Sequence, residues 1–233
     1  MATYTLETNG AVCPFPLIDA KQAIAQLDAG DDLVAPEFPQ PLGDDGVHGR
    51  RLLIETPPGY LDDVQLGDSI ALSGACMTAT SLHPTAHRFT VDISAESLAR
   101  TVGLDRPGRI NLEKAVRAHD RLGGHLVTGH VDGIGRVERF EPVGESWLLA
   151  IEAPPALARF LAYKGSVTVD GVSLTVNRVD DRPGGALFTI NLIPHTLEHT
   201  TLGDLAAGRQ VNLEIDLIAR YVARMLEAGP VAA

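Results

Sequence analysis

Apolar residues in this chain recur mostly at every second position, in short runs closed off by Gly, Asp or Pro. Residues 69–72, 89–93, 167–169 and 188–192 are rich in Val, Ile and Thr and are read as β-strands. Short strands at this spacing predict a sandwich or a small closed barrel. Helical spacing is confined to three stretches. Residues 95–101 follow Ser94, whose hydroxyl suits an N-cap, and residues 194–201 open on Pro194, which suits a first turn. Residues 217–228 are the clearest helix, with Leu217, Ile218, Tyr221, Val222, Met225 and Leu226 on one stripe and Gly229-Pro230 as the stop. Such a stripe packs either on its own barrel or on another copy of the chain.

The pattern repeats. Gly67-Asp68-Ser69-Ile70-Ala71-Leu72-Ser73-Gly74-Ala75-Cys76-Met77-Thr78 lines up with the stretch from Lys164 to Thr175, Ser69 falling on Ser166 at an offset of 97 residues. The same offset pairs Leu52-Leu53-Ile54-Glu55 with Leu149-Ala150-Ile151-Glu152. Further on, Asn111-Leu112-Glu113 matches Asn212-Leu213-Glu214. Two tandem copies of one β-unit follow.

The N-terminus departs from the repeat. The second half opens with Leu126 to Val137, and counting back by the offset gives residues 29–40, which carry Pro36 and Pro39 and show no strand–glycine pattern. The first half therefore lacks a recognisable opening strand. In its place Tyr4-Thr5-Leu6-Glu7 alternates like a strand, and residues 17–27 read as an amphipathic helix, with Leu17, Ala20, Ile24 and Leu27 on one face and Gly30 as its stop. Cys13 would lie at that helix's N-terminus, where the dipole favours a thiolate. The run Cys13-Pro14-Phe15-Pro16-Leu17-Ile18-Asp19-Ala20-Lys21 resembles the start of the TusA-type sulfur-carrier family, over residues 4 to about 34. The resemblance implies a persulfide carrier at Cys13; an idle thiol is the plainer alternative.

Composition narrows the classes. Hydrophobic residues make up 45% of the chain and charged ones 21%, enough for a buried core and against disorder. A net charge of −11 argues against a nucleic-acid partner. Cys13 and Cys76 are the two cysteines and suggest no disulfide framework. No apolar run reaches the roughly 18 residues of a membrane span, and the start has no signal-peptide pattern. These features point to a cytoplasmic protein without membrane association.

From about Gly43 to Ala228 the chain resembles the riboflavin synthase family. The strings that carry this are Gly67-Asp68-Ser69-Ile70, Gly123-Gly124-His125-Leu126-Val127-Thr128-Gly129-His130-Val131, Lys164-Gly165-Ser166, Asp170-Gly171-Val172-Ser173-Leu174-Thr175-Val176 and Leu192-Ile193-Pro194-His195-Thr196-Leu197-Glu198. That family begins Met-Phe-Thr-Gly-Ile-Val, a string this chain does not contain. The resemblance implies an all-β fold of two tandem six-stranded Greek-key β-barrels with a C-terminal helix. The expected division is 1–34 for the sulfur-carrier-like β-α segment, 35–125 for the N-terminal barrel, 126–216 for the C-terminal barrel, and 217–233 for a trimerisation helix and tail. It implies conversion of two 6,7-dimethyl-8-ribityllumazine molecules to riboflavin and 5-amino-6-(ribitylamino)uracil, without metal or redox cofactor. A homotrimer is implied, with lumazine synthase as a further protein partner. The competing functions are a non-catalytic lumazine- or flavin-binding protein of the same fold and a sulfur carrier.

The resemblance also implies the site. Cys76, His125, Asp170, Ser173 and Asp216 form the expected catalytic set. Ser69, Cys76, Met77 and Thr78 line the first pocket, with Asp92, Ile93, Ser94, Ala95, Glu96 and Ser97. Gly129, His130 and Val131 join them from the connecting segment. Lys164, Ser173, Leu174 and Thr175 line the second pocket, with Asn191, Leu192, Ile193, Pro194, His195 and Thr196. The repeat aligns Cys76 with Ser173 and Ser73 with Asp170, so the two pockets differ in chemistry. From the residues alone, duller readings stand beside these. Cys76 reads as a small core residue, Ser173 and Thr175 as strand hydroxyls, and His125 as a turn histidine. Asp170-Gly171 reads as a turn pair, and Asp216 as a helix cap.

Overall fold

Leu52 and Ile54 are fully buried while Arg51, Leu53 and Glu55 keep contact with solvent, the two-residue rhythm of a strand with one face on a core. The computed structural model describes residues 18–23 and 49–228, and most of its regular elements are strands. β1 (Ile18–Ala23), β2 (Arg50–Glu55), β3 (Ser69–Leu72), β4 (Ala75–His83), β5 (Arg88–Ile93) and β6 (Gly108–Lys114) close into a barrel in the order β1-β2-β5-β4-β3-β6. All its pairings are antiparallel. Helix α1 (Ala95–Arg100) bridges β5 and β6, and Ser94 caps it by accepting the N–H of Ser97 at 3.0 Å.

The second copy comprises β7 (Gly133–Val143), β8 (Ser146–Ala153), α2 (Pro155–Ala158), β9 (Ser166–Val169), β10 (Val172–Thr175), β11 (Arg178–Arg182), β12 (Gly185–Leu192), α3 (Pro194–His199) and β13 (Gln210–Ile215). Its sheet runs β10-β9-β13-β7-β8-β12-β11. The two outer strands, β10 and β11, are successive pieces of one chain segment, broken at Val176 and Asn177. The sheet therefore curls until its ends meet, and the N–H of Asn177 reaches the Thr189 carbonyl on β12 at 2.7 Å. The single strand β4 does this work in the first copy. Phe89 and Phe188 occupy matching central positions in the two cores, both fully buried.

Residues 18–23 correct one expectation. They are a strand, not part of the helix anticipated over 17–27. β1 pairs with β2 and β6, Ile18 facing Leu112 as Gly133 faces Leu213 in the second copy. The first copy thus has an opening strand, drawn from within the segment assigned to the sulfur-carrier-like piece and set back by a longer connection to β2. The reason is tertiary: β2 and β6 leave a gap one strand wide, and unpaired N–H and C=O groups on both edges outweigh a weak local helical preference. The anticipated strand at Tyr4 to Glu7, Cys13, and the remainder of the anticipated helix lie outside the described residues.

The two copies meet at their β-hairpin turns. Ser73-Gly74 joins β3 to β4 and Asp170-Gly171 joins β9 to β10, with positive φ at all four residues. A Cβ on Gly74 would lie 2.9 Å from the Gly171 nitrogen, and one on Gly171 would lie 2.9 Å from the Gly74 nitrogen, so the turns pack backbone to backbone. Asn111 donates to the Asp170 carbonyl at 2.8 Å and accepts the Thr201 N–H at 2.8 Å. Its counterpart Asn212 donates to the Ser73 carbonyl at 3.0 Å and accepts the Val102 N–H at 2.8 Å.

The chain's last described element, α4 (Leu217–Ala228), lies outside the second barrel. Arg159 pairs with Glu227 at 2.7 Å, while Ile218, Tyr221, Val222, Met225 and Leu226 stay exposed. Among the described residues no helix is long and apolar enough to cross a membrane.

Candidate active site

The segment between the barrels is fastened at Glu214 on β13, whose side chain is buried at 3% exposure. One carboxylate oxygen accepts the N–H of Thr128 at 2.8 Å and its hydroxyl at 2.6 Å; the other accepts the N–H of Gly129 at 3.0 Å. A buried carboxylate needs donors of this kind to offset lost hydration. The Gly129 carbonyl then accepts the N–H of Cys76 on β4 at 2.7 Å. A single residue thus ties the second barrel to the first. Its φ is +76°, and a Cβ there would come within 2.7 Å of the Cys76 Cβ, so only glycine fits. Asp132 fixes the far end of the segment, accepting the Ile215 N–H at 2.9 Å and gripping Arg220 of α4 through both oxygens at 2.8 Å.

This segment places His125 against the second barrel. Its Nδ1 lies 2.8 Å from the Ser173 hydroxyl and its Nε2 3.2 Å from the Thr168 hydroxyl. Burial pushes the imidazole pKa down, outweighing the opposite pull of the Asp216 and Glu214 carboxylates. The ring is therefore neutral near pH 7, and its unprotonated nitrogen accepts a hydrogen bond from one of the two hydroxyls. Asp216 serves twice: it faces His125 electrostatically, and its Oδ1 accepts the Ile218 N–H at 2.8 Å as the cap of α4.

Along β4 the inward positions are Ala75, Met77 and Ala79, while Cys76 and Thr78 face out. The Cys76 thiol is exposed and free, so the core reading does not hold for it. Met77 belongs to the first core. Ser69 stands opposite Thr78 across the β3–β4 ladder.

The remaining expected residues are placed as follows. Arg51 holds Asp92 through two bonds of 2.7 and 2.8 Å. The Ser94 and Ser97 hydroxyls lie 3.0 Å apart, Ala95 is half-buried, and Glu96 pairs with Arg100 at 3.0 Å. His130 is exposed, and Val131 packs on the first core. In the second copy Asn191, Ile193, Pro194 and His195 are exposed, with His195 stacked on His199. Leu174 packs on the second core and Thr175 faces out. Lys164 adopts φ +63° and donates to the Asn177 side chain at 3.1 Å. Ile93, Leu192 and Thr196 are buried.

Asp170 stands apart. Its carboxylate accepts the Asn212 N–H at 2.7 Å at the junction of the barrels, as the Ser73 hydroxyl accepts that of Asn111 at 3.3 Å. The turn-pair reading describes it well, and no hydrogen bond among the described residues joins it to His125 or Ser173. Burial drives its pKa up to about 7. Glu214 and the two asparagines escaped the sequence reading, although the matching Asn-Leu-Glu triplets had marked them. Glu113, the counterpart of Glu214, pairs through its backbone in the β3–β6 ladder, but its carboxyl makes no hydrogen bond among the described residues. Burial and then the Glu214 charge raise its pKa to about 7.

Comparison with known proteins agrees with the duplication. The lumazine binding domain model matches twice, over residues 18–115 and 128–216. The chain is 43% identical over 192 residues to the riboflavin synthase of Mycobacterium bovis, covering 78% of this chain and 94% of that one. The chain belongs to the riboflavin synthase family. Within it, the Bacillus subtilis riboflavin synthase is 41% identical over 181 residues, covering 77% of this chain and 81% of that one. Among solved structures, LumP complexed with riboflavin superposes on this riboflavin synthase family member with a TM-score of 0.66 at 21% identity, covering 86% of this chain and 98% of LumP. LumP complexed with 6,7-dimethyl-8-(1'-D-ribityl) lumazine gives a TM-score of 0.61 at 23% identity, over 71% of this chain and 87% of that one. These two likenesses describe the fold.

Proposed function

We propose that this chain is a riboflavin synthase that converts two molecules of 6,7-dimethyl-8-ribityllumazine into riboflavin and 5-amino-6-(ribitylamino)uracil. One lumazine passes a four-carbon unit to the other, so two copies of one substrate need two similar sites. The observation that carries the reading is the duplicated but unequal pocket: an exposed thiol at Cys76 in one barrel, and Ser173 hydrogen-bonded to a neutral His125 in the other. Stacking two rings between such pockets replaces a bimolecular encounter, an effect that can reach roughly 7–11 kcal/mol. The chemistry left is removal of a proton from a ring methyl and attack at the adjacent ring carbon. A neutral imidazole oriented by two hydroxyls is suited to the proton transfer, and the Cys76 thiol or the Ser173 hydroxyl to interaction with the ring carbon.

The unpartnered stripe of α4 supports a homotrimer in which the first barrel of one subunit faces the second barrel of another. Cytoplasmic location and association with lumazine synthase belong to the same reading. Incubating purified protein with the dimethyl-lumazine and following riboflavin fluorescence tests it. Tight lumazine binding without turnover would favour a non-catalytic lumazine- or flavin-binding protein of the same fold.

A further inference from the structure

A cleft of about 620 Å³ opens between the barrels beside the hairpin-turn junction, away from Cys76 and His125. Four arginines line it, Arg106, Arg109, Arg136 and Arg209, against two aspartates, Asp170 and Asp204. This is a concentration of positive charge on a chain whose net charge is −11. Two of the arginines are occupied or loosely engaged: Arg109 pairs with Asp204 at 2.7 Å, and Arg106 stands 3.9 Å from Asp105. Arg136 and Arg209 make no ion pair with any described residue.

The backbone places these two residues at neighbouring positions where β7 meets the start of β13. Arg136 on β7 is opposite Gln210 on β13. The Gly208 N–H donates to the Val137 carbonyl and the Val137 N–H donates to the Arg209 carbonyl, each at 2.8 Å. On its other flank Arg136 stands opposite Glu152 of β8 without forming an ion pair with it. Of the cleft's two aspartates, Asp204 is engaged by Arg109, and Asp170 has its pKa pushed up to about 7 by burial. The cleft wall is also open. A Cβ added at Gly103, Gly108 or Gly208 would meet no atom within 4 Å.

We propose that this cleft binds a dianionic phosphate, either free or carried on a small molecule, between Arg136 and Arg209. Guanidinium groups match phosphate oxygens in a two-pronged geometry that a halide cannot satisfy. The site is separate from the lumazine pockets, so its occupancy is read by binding and not by turnover.

The test uses the full chain at about pH 7, with ionic strength held constant by sodium chloride. Inorganic phosphate and ribose 5-phosphate are titrated separately, followed by calorimetry and by the melting temperature. The expected result is saturable binding of at least one of them, at least about 10-fold weaker in Arg136→Gln/Arg209→Gln. Both side chains are exposed, so the variant keeps its fold, which circular dichroism checks. Equal affinity for the two probes assigns the site to the free ion; a clear preference for the ester assigns it to a phosphorylated small molecule. The proposal is overturned if neither probe saturates, if chloride alone reproduces the shift, or if the folded double variant binds as the parent does.

Discussion

Asn111 stands to Asp170 as Asn212 stands to Ser73: each asparagine reaches out of its own barrel and donates to the carbonyl of the other barrel's hairpin turn. Each also accepts a backbone N–H from the other half, Thr201 for Asn111 and Val102 for Asn212. The two residues occupy equivalent places in the repeat, so the interface has the local symmetry of a dimer inside one chain. Both are 1% exposed. Replacing either with Ala strands a carbonyl and an N–H that are at least half-buried, which costs about 1–3 kcal/mol. Urea unfolding of Asn111→Ala and Asn212→Ala should show this loss, and the double variant should begin to separate the two barrels into two transitions. A change below about 0.5 kcal/mol in both single variants would remove the asparagines from the interface energetics.

Ser173→Ala should slow riboflavin formation by about 10- to 100-fold while costing at most about 1 kcal/mol in stability. The hydroxyl holds His125 at 2.8 Å, and without it the ring keeps only the longer contact to Thr168. Steady-state fluorescence and thermal melts check the two halves of the prediction. Unchanged turnover would take Ser173 out of the catalytic set.

Gly129→Ala should damage both activity and stability. The added methyl would press on Cys76 at 2.7 Å in a backbone conformation that Ala resists. The expected loss is about 1–3 kcal/mol, with turnover reduced further because Cys76 and Thr128 are displaced together. Iodoacetamide labelling of Cys76, compared between parent and variant, reports the displacement directly.

Stability should fall as pH rises toward neutrality. Asp170 and Glu113 are both pushed up to about 7, chiefly by burial, from ordinary values of 3.8 and 4.5. The folded chain therefore keeps two protons that the unfolded chain has released. Their contribution is complete below about pH 4 and is lost as pH passes through about 7. Urea midpoints at about pH 5.5 and pH 8 should differ in this direction from these two groups. The pair Asp170→Asn and Glu113→Gln should flatten the difference; an unaltered slope would place the titration elsewhere.

Removing the residues after Ala219 should yield monomers that do not turn over. The deletion takes Tyr221, Val222, Met225 and Leu226 from the exposed stripe of α4 and also Arg220, which grips Asp132. Light scattering measures the mass. A fully active monomer would refute the shared site and the role of the helix.

The strands of both cores were legible because a half-buried strand writes its face into alternate residues, as at 69–72 and 89–93. The Ser94 cap and the α4 stripe were legible for similar local reasons. β1 was not. Ile18-Asp19-Ala20-Lys21-Gln22-Ala23 contains good helix formers, and what makes it a strand lies at Leu53 and Ile110, distant in sequence. The repeat found Cys76 and Ser173 as a pair, yet it could not show that Gly129 bridges the barrels or that Asp170 serves their junction. Those facts depend on which carbonyl meets which N–H, and a sequence does not carry that distance information.

The closure of the first barrel imposes an order on synthesis. Ile18 pairs with Leu112 and Gln22 with Gly108, so the earliest strand has no partner on one edge until β6 has left the ribosome. Throughout that interval the edges of β1 and β3 that β6 will cover are open to pairing with a neighbouring nascent chain. The second barrel repeats this wait over a shorter stretch, since β7 lacks a partner on one edge until β13 is made. A ribosome paused shortly before residue 108 should therefore carry a protease-sensitive first half, and one paused well beyond residue 114 a protected one.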